Sequence, residues 1–180
     1  MDNNERAEGS LHSALFILHL NTMNIELKSI LMVDDSPRDV ELTLNALAQS
    51  NLANEVVIVG DGADALNYLY RRGSFSARPA GNPAVVLLDL KMPLVNGVEV
   101  LRQIKSDPQL KMIPVVVMTS SREESDLVTS YELGVNAYIV KPVNFQDFVT
   151  AVKLLGAFWA VVNEPPPGSV RPVRAKESGR

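Results

Sequence analysis

The chain has 180 residues, 46% of them hydrophobic, which is enough to bury the core of one domain with short tails. It contains no cysteine, which excludes disulfide bonds and thiolate chemistry and favours a reducing, cytoplasmic location. The formal net charge is -4 and no long basic run interrupts the folded part, so nucleic-acid binding is not expected.

The first predicted feature is an N-terminal extension, assigned to residues 1–26. Its apolar stretch, residues 14–20, is far shorter than a membrane span and lacks the basic flank and cleavage site of a secretion signal. No membrane association is therefore expected. Met23 lies a few residues before the first predicted strand, so the sequence leaves open whether the protein starts there.

Five short apolar runs then follow in chain order, and each precedes a stretch with helical spacing. The runs are residues 30–33, 56–59, 85–88, 115–118 and 137–140. Runs of this kind are typical of buried parallel strands, because helices cover both faces of such a sheet. Ser36 and Pro37 supply the N-cap and the first position of the first helix. The alternation predicts an α/β domain with a doubly wound, five-stranded parallel sheet.

The predicted domain spans residues 27–162. A loop rich in Gly, Pro and Ser, residues 73–83, precedes the third strand, and the last helix is expected from about residue 144 to residue 162. Three prolines and a glycine, residues 165–168, end that helix. Residues 163–180 are therefore predicted to be a flexible tail, too short for a second domain.

Polar side chains follow four of the five predicted strands: Asp34 and Asp35, Asp89, Thr119, and Lys141. Because the carboxyl ends of parallel strands meet at one edge of a sheet, these side chains are expected to converge. Two like charges about 4 Å apart repel by roughly 4 kcal/mol at an effective dielectric constant near 20, so the carboxylates need a cation. Oxygen ligands suit Mg²⁺, while a lysine and a threonine can bind an anion. These are the parts required for phosphoryl transfer.

Each of these residues alone has a structural alternative. Asp34 and Asp35 could favour a helix start through the helix dipole, and Asp89 could be a turn residue. Thr119 could be an N-cap, and Lys141 could be a solvated lysine at a strand end. These alternatives do not explain why all of the residues lie at the same ends of successive strands.

The segments around these residues resemble the receiver domain of two-component response regulators. The resemblance covers about residues 28–155 and rests on Val33-Asp34-Asp35, Leu88-Asp89 with Met92-Pro93 and Asn96-Gly97, Met118-Thr119-Ser120, and Lys141-Pro142. It implies a flavodoxin-like, receiver-type fold. It also implies a phosphorylated switch rather than an enzyme.

The resemblance assigns a phosphoacceptor and a metal site. Asp89 would take a phosphoryl group from a phosphohistidine of a sensor histidine kinase. Mg²⁺ would be bound directly by Asp35, Asp89 and the backbone carbonyl of Lys91, with Asp34 acting largely through water.

The resemblance also assigns the switch. Thr119 and Lys141 would contact the phosphoryl oxygens, and Tyr138 would change rotamer as the threonine moves. The bond between Lys141 and Pro142 would be cis. Tyr138 also has the alternative of an ordinary half-buried aromatic residue.

A second resemblance lies in the last helix. Phe158, Trp159 and Ala160, together with the loop at residues 73–83, resemble single-domain response regulators of bacterial phytochrome kinases. In that subgroup an extended C-terminal arm joins two receivers into a homodimer. Adjacent aromatic residues point in different directions on a helix, so one intramolecular face is not expected to bury both. The alternative is core packing of both rings.

Other function classes fit the residues less well. A haloacid-dehalogenase-type phosphatase needs a second acid where Lys91 stands, and a dinucleotide-binding enzyme needs a glycine-rich turn after the first strand. Nothing after residue 162 resembles a helix-turn-helix, so a DNA-binding regulator is possible only if this chain is a fragment of one. We therefore predict a stand-alone, phosphorylatable receiver. The alternatives are a phosphorelay intermediate that passes the group to a phosphotransfer protein, and a pseudo-receiver that only binds partners.

Overall fold

One parallel sheet organises the computed structural model, which describes residues 29–48, 56–142 and 144–169. The strands are β1 (Ile30–Val33), β2 (Val56–Val59), β3 (Val85–Leu88), β4 (Val115–Thr119) and β5 (Ala137–Val140). The α-helices are α1 (Pro37–Ala48), α2 (Gly62–Tyr70), α3 (Gly97–Ser106), α4 (Glu124–Glu132) and α5 (Phe145–Gly156). The strand order is β2-β1-β3-β4-β5, which confirms the predicted doubly wound fold. None of the helices in these ranges has the length and apolar character needed to cross a membrane.

The register of the sheet brings the ends of the central strands together. Val33 at the end of β1 lies beside Val59 of β2 and Leu88 of β3. The ladder continues one residue further, because the Asp34 N–H donates to Val59 O at 3.1 Å and the Asp89 N–H to Val33 O at 2.9 Å. These bonds fix the backbone of both aspartates at the carboxyl edge.

Two apolar clusters cover the two faces of the sheet. Helices α2 and α3 pack on one face, where Val100, Leu101 and Ile104 of α3 are fully buried. Helices α1 and α5 pack on the other face through side chains such as Leu47 and Val152. Burial on both faces explains why β1 and β3 consist of apolar residues only and why β4 is apolar up to Thr119.

Side-chain caps fix several of the helix starts at the carboxyl edge of the sheet. Ser36 Oγ accepts a hydrogen bond from the Asp39 N–H at the start of α1, as its predicted N-cap role requires. Asp61 caps α2, Asn96 caps α3 and Asn144 caps α5 in the same way. The loops that carry the polar residues therefore have a defined exit into each of these helices.

The C-terminal segment differs from the single helix expected up to residue 162. Helix α5 ends at Gly156, and Ala157–Val162 continues it with π-helical winding, in which the Asn163 N–H donates to Phe158 O. The chain then runs back to the loop before β3, where Ser169 pairs with Asn82. Gly168 and Ser169 of the predicted tail therefore contact this loop, and the flexibility of the tail stays a prediction. The N-terminal extension, Met23 and residues 170–180 lie outside the described residues.

The peptide bond before Pro142 also differs from expectation. No peptide bond within the described ranges is cis, so the predicted cis bond between Lys141 and Pro142 is wrong for this structure. A trans bond before proline is intrinsically favoured by about 0.5–1 kcal/mol. The Lys141 N–H still donates to Thr119 O at 2.8 Å and extends the β4–β5 ladder.

Candidate functional site

Three acids form a cluster at the carboxyl edge of the sheet. Carboxylate oxygens of Asp34, Asp35 and Asp89 all lie within 4.8 Å of one another. Asp34 and Asp89 are buried, whereas Asp35 is exposed. The structure thus brings together the three acids that the sequence predicted to converge, with one side of the cluster open to solvent.

Lys141 neutralises part of this charge and contacts three carboxylates at once. Its Nζ lies 2.8 Å from Asp34 Oδ2, 2.8 Å from Asp89 Oδ2 and 2.7 Å from Asp39 Oδ2. An ammonium has three N–H donors, so these contacts use all of them. Asp39 was not among the predicted site residues. Its sequence position, in the first turn of α1, is that of an ordinary helix-start acid.

The charge state of Lys141 follows from these contacts. Burial lowers the pKa of its ammonium, but the hydrogen bonds with Asp34, Asp39 and Asp89 outweigh burial and raise the pKa well above its usual value. Burial raises the pKa of the Asp34 carboxyl, against the opposing effects of Lys141 and of the Ser36 N–H. The lysine is therefore a fixed positive charge at the buried end of the cluster.

Asp89 is oriented through both of its oxygens. Oδ1 accepts the Lys91 N–H at 3.0 Å, and Oδ2 accepts from Lys141. The Lys91 side chain turns towards the start of α4, where its Nζ lies 2.9 Å from Glu123 and 3.4 Å from Asp126. Those hydrogen bonds raise the pKa of Lys91. Its predicted role as a metal ligand through the backbone carbonyl stays a prediction.

Gly97 supports Asp89 from behind. A Cβ on Gly97 would lie 2.1 Å from the carbonyl oxygen of Asp89 and 2.7 Å from the Cα of Leu90. The start of α3 therefore packs directly against the backbone of the acid, at a position where only glycine fits. In the sequence this residue appeared only as part of a motif, without a role.

The two predicted switch residues meet through one loop residue. Thr119 is fully buried, and its Oγ1 accepts the Ser121 N–H at 3.2 Å. The hydroxyl of Tyr138 donates to the carbonyl oxygen of the same Ser121 at 3.3 Å. Ser121 Oγ in turn donates to Asp126 Oδ2 at 2.5 Å, which ties the loop to α4. Tyr138 is half-buried, and burial raises its pKa.

The donor set of the acid cluster fits a divalent metal ion. Three carboxylates from two neighbouring loops offer oxygens within reach of one cation, and the exposed side leaves room for water ligands. This is the ligand chemistry that hard cations such as Mg²⁺ prefer.

The three residues predicted to form a dimer contact lie in the π-helical segment and have different surroundings. Ala160 is fully buried, and Trp159 packs partly buried against the cluster under α1 and α5. Phe158 is 48% exposed, with its ring edge-to-face against Trp159 at a centroid distance of 5.0 Å. The domain therefore buries one of the two aromatic rings in large part and leaves the other at the surface.

Comparison with known proteins identifies relatives over most of the chain. The family model for the response regulator receiver domain matches residues 30–153. Response regulator Rcp1 of Synechocystis sp. is 42% identical over 132 residues, which are 73% of this chain and 88% of Rcp1.

Solved structures agree with that match. The Mn²⁺-bound form of Rcp1 is 40% identical, with a TM-score of 0.72 over 77% of this chain and 99% of the other. The phosphorylated cyanobacterial phytochrome response regulator RcpA is 42% identical, with a TM-score of 0.73 over 78% and 99%. The bacteriophytochrome response regulator RtBRR is 66% identical, with a TM-score of 0.63 over 79% and 86%.

Proposed function

The chain belongs to the response regulator receiver domain family, and from this membership we propose that it is switched by transfer of a phosphoryl group to Asp89. The observation that carries the proposal is the setting of this carboxylate. It is buried, hydrogen-bonded through both oxygens, and adjacent to Asp34 and Asp35. A carboxylate oxygen of Asp89 would attack the phosphorus of a phosphohistidine, and the bond from phosphorus to the imidazole nitrogen would break.

The residues around Asp89 have distinct roles in this proposal. Bound Mg²⁺, held by Asp34, Asp35, Asp89 and the Lys91 carbonyl, would neutralise charge on the phosphoryl oxygens. Lys141 supplies a second, permanent positive charge. Such fixed charges cost no reorganisation when the phosphoryl group arrives, which is why positioning dominates catalysis of this kind.

We propose that Thr119 and Tyr138 transmit the change. A phosphoryl group on Asp89 is a strong acceptor for the hydroxyl of Thr119, which at present accepts the Ser121 N–H. Movement of Thr119 would therefore shift the loop at Ser121, and Tyr138 would follow because its hydroxyl is bonded to that loop. Phosphorylation would bias a pre-existing equilibrium between two loop positions.

The proposed phosphodonor is a sensor histidine kinase with a phytochrome photosensor. RcpA is a cyanobacterial phytochrome response regulator and RtBRR a bacteriophytochrome response regulator, and the identity with RtBRR reaches 66%. We extend that pairing to this chain. The protein would act in the cytoplasm as a switch without enzymatic activity of its own, and without binding nucleic acid.

We further propose a homodimer through the C-terminal segment. Leu154, Phe158 and Val162 recur every four residues and are 67%, 48% and 72% exposed. Three apolar side chains in a row on one surface are unfavourable in water, and a second copy of the chain would cover them. Trp159 and Ala160 would support this surface from the inside.

Phosphorylation is tested by intact mass. The protein is incubated with a small-molecule phosphodonor and Mg²⁺, beside Asp89→Asn and the matched variant Asp64→Asn, which changes an exposed first-turn acid of α2. We expect one phosphoryl group on the wild type and on Asp64→Asn, and none on Asp89→Asn. An unlabelled wild type, under conditions that label a known receiver, would refute the proposal and favour a pseudo-receiver.

A further inference from the structure

Asp39 contacts the site but has no part in the proposed transfer. Its Oδ2 lies 2.7 Å from Lys141 Nζ, as close as the oxygens of Asp34 and Asp89. The two residues are 102 positions apart in the sequence and join the first turn of α1 to the end of β5. Because Ser36 Oγ accepts the Asp39 N–H, the backbone that carries this carboxylate is fixed in the first turn of α1.

Lys141 and a bound divalent cation would compete for the same carboxylates. Asp34 and Asp89 both contact the lysine, and both belong to the acid cluster. Asp39 does not belong to that cluster. Among the three carboxylates on Lys141, Asp39 alone therefore lies outside the metal site.

We propose that Asp39 is a positioning residue that keeps Lys141 at the site when a divalent cation occupies the acid cluster. The proposal rests on the proposed function. One N–H of the ammonium would stay on Asp39, and the other two would be directed towards the oxygens of a phosphoryl group on Asp89. Without this anchor, the flexible lysine would either compete with the cation for Asp34 and Asp89 or leave the site.

Two simpler roles for Asp39 have to be separated from this one. An acid in the first turn of a helix stabilises that helix, and any nearby carboxylate attracts a cation. Asp147 occupies the equivalent place in α5, where its N–H is capped by Asn144, and it is exposed. Asp147→Asn therefore removes the same charge from the same helix position and serves as the matched control.

The first test measures the phosphorylation rate against Mg²⁺ concentration. At saturating Mg²⁺ we expect Asp39→Asn to be slower than the wild type by roughly tenfold, as expected for loss of a hydrogen bond to a charged group, with Asp147→Asn unchanged. In a Lys141→Met background, Asp39→Asn should change the rate less than about twofold, because its effect runs through the lysine. Full recovery of Asp39→Asn by added Mg²⁺, or an equal loss in both backgrounds, would overturn the proposal.

The second test does not depend on phosphorylation. In ¹⁵N-lysine spectra of the wild type we expect a Lys141 ammonium signal whose protons exchange slowly with water, both without metal and with Mg²⁺. In Mg²⁺-loaded Asp39→Asn we expect this signal to be lost. Circular dichroism checks folding, and Asp39→Ser, which also removes the carboxylate, replaces Asp39→Asn if that variant unfolds. A wild type that takes no phosphoryl group refutes the proposed function alone. A Lys141 signal that survives in Mg²⁺-loaded Asp39→Asn refutes the role of Asp39 alone.

Discussion

Asp89 is held by contacts from four parts of the chain. Its N–H bonds to β1, one carboxylate oxygen to the Lys91 N–H, the other to Lys141, and Gly97 packs behind its carbonyl group. A buried carboxylate is costly unless it is hydrogen-bonded and paired with a cation, and these contacts meet both conditions. The acid is therefore oriented before any partner arrives.

Gly97→Ala tests this orientation. Its methyl group would overlap backbone atoms, which cannot rotate away, so α3 or the Asp89 backbone must shift. We expect a loss of about 1–3 kcal/mol in the free energy of unfolding, the usual range for overpacking, together with slower phosphorylation. Denaturant unfolding and intact mass measure the two effects. Gly60→Ala is the control, because a Cβ there meets no atom within 4 Å and should leave both quantities unchanged.

The sequence predicts some site residues and misses others for a physical reason. Asp34, Asp89 and Lys141 each follow an apolar run, so the parallel sheet alone brings them together. Asp39 and Ser121 do not stand directly after such a run. They join the site because side chains reach across between loops, and that reach depends on helix starts and rotamers that no local pattern specifies. Asp39 in particular is indistinguishable in sequence from a first-turn acid such as Asp147.

At the scale of elements, the C-terminal segment divides its aromatic residues between core and surface. Periodicity predicted one helix to residue 162 but not the change to π-helical winding after Gly156, because both windings share the same apolar composition. Truncation after Gly156 would remove Ala160 and Trp159 from the core, so it cannot isolate the dimer contact. Point variants can.

Phe158→Ala should mainly weaken dimer association, whereas Trp159→Ala should mainly destabilise the monomer. Loss of the half-exposed Phe158 ring should weaken the proposed dimer by about 2 kcal/mol or more, as for an aromatic anchor, and lower monomer stability by about 0.5–1.5 kcal/mol through loss of its edge-to-face contact with Trp159. Loss of the partly buried Trp159 should instead lower monomer stability, by roughly 2 kcal/mol or more. Analytical ultracentrifugation measures the association, and unfolding at low protein concentration measures the stability.

Asp147→Asn, a surface variant of α5, is the control for both Phe158→Ala and Trp159→Ala, and it should change neither association nor monomer stability. A wild type that sediments as a monomer at all concentrations would contradict the proposed dimer. So would a Phe158→Ala variant that dimerises as strongly as the wild type.

At the scale of the whole molecule, alternation of apolar runs and helical spacing was sufficient to predict the five-stranded fold. The pattern succeeds because both faces of the sheet are covered, so the central strands are almost entirely apolar. The same topology explains the charge distribution. Parallel strands point their carboxyl ends to one edge, and the fold therefore concentrates acidic residues where they destabilise each other.

Mg²⁺ should therefore stabilise the whole domain, and Asp35 allows this to be tested cleanly. Asp35 belongs to the acid cluster but is not among the carboxylates on Lys141, so Asp35→Asn weakens the metal site and leaves the lysine contacts intact. A ligand at one hundred times its dissociation constant adds about 2.7 kcal/mol to the free energy of unfolding, which for a domain of this size raises Tm by roughly 5–10 °C.

Thermal unfolding with Mg²⁺ or with chelator measures the shift. We expect it in the wild type and in Asp64→Asn, and expect most of it to vanish in Asp35→Asn. In chelator, Asp35→Asn should be at least as stable as the wild type, because it removes one charge from a repulsive cluster. An equal Mg²⁺ shift in all three proteins would mean that the cation binds elsewhere.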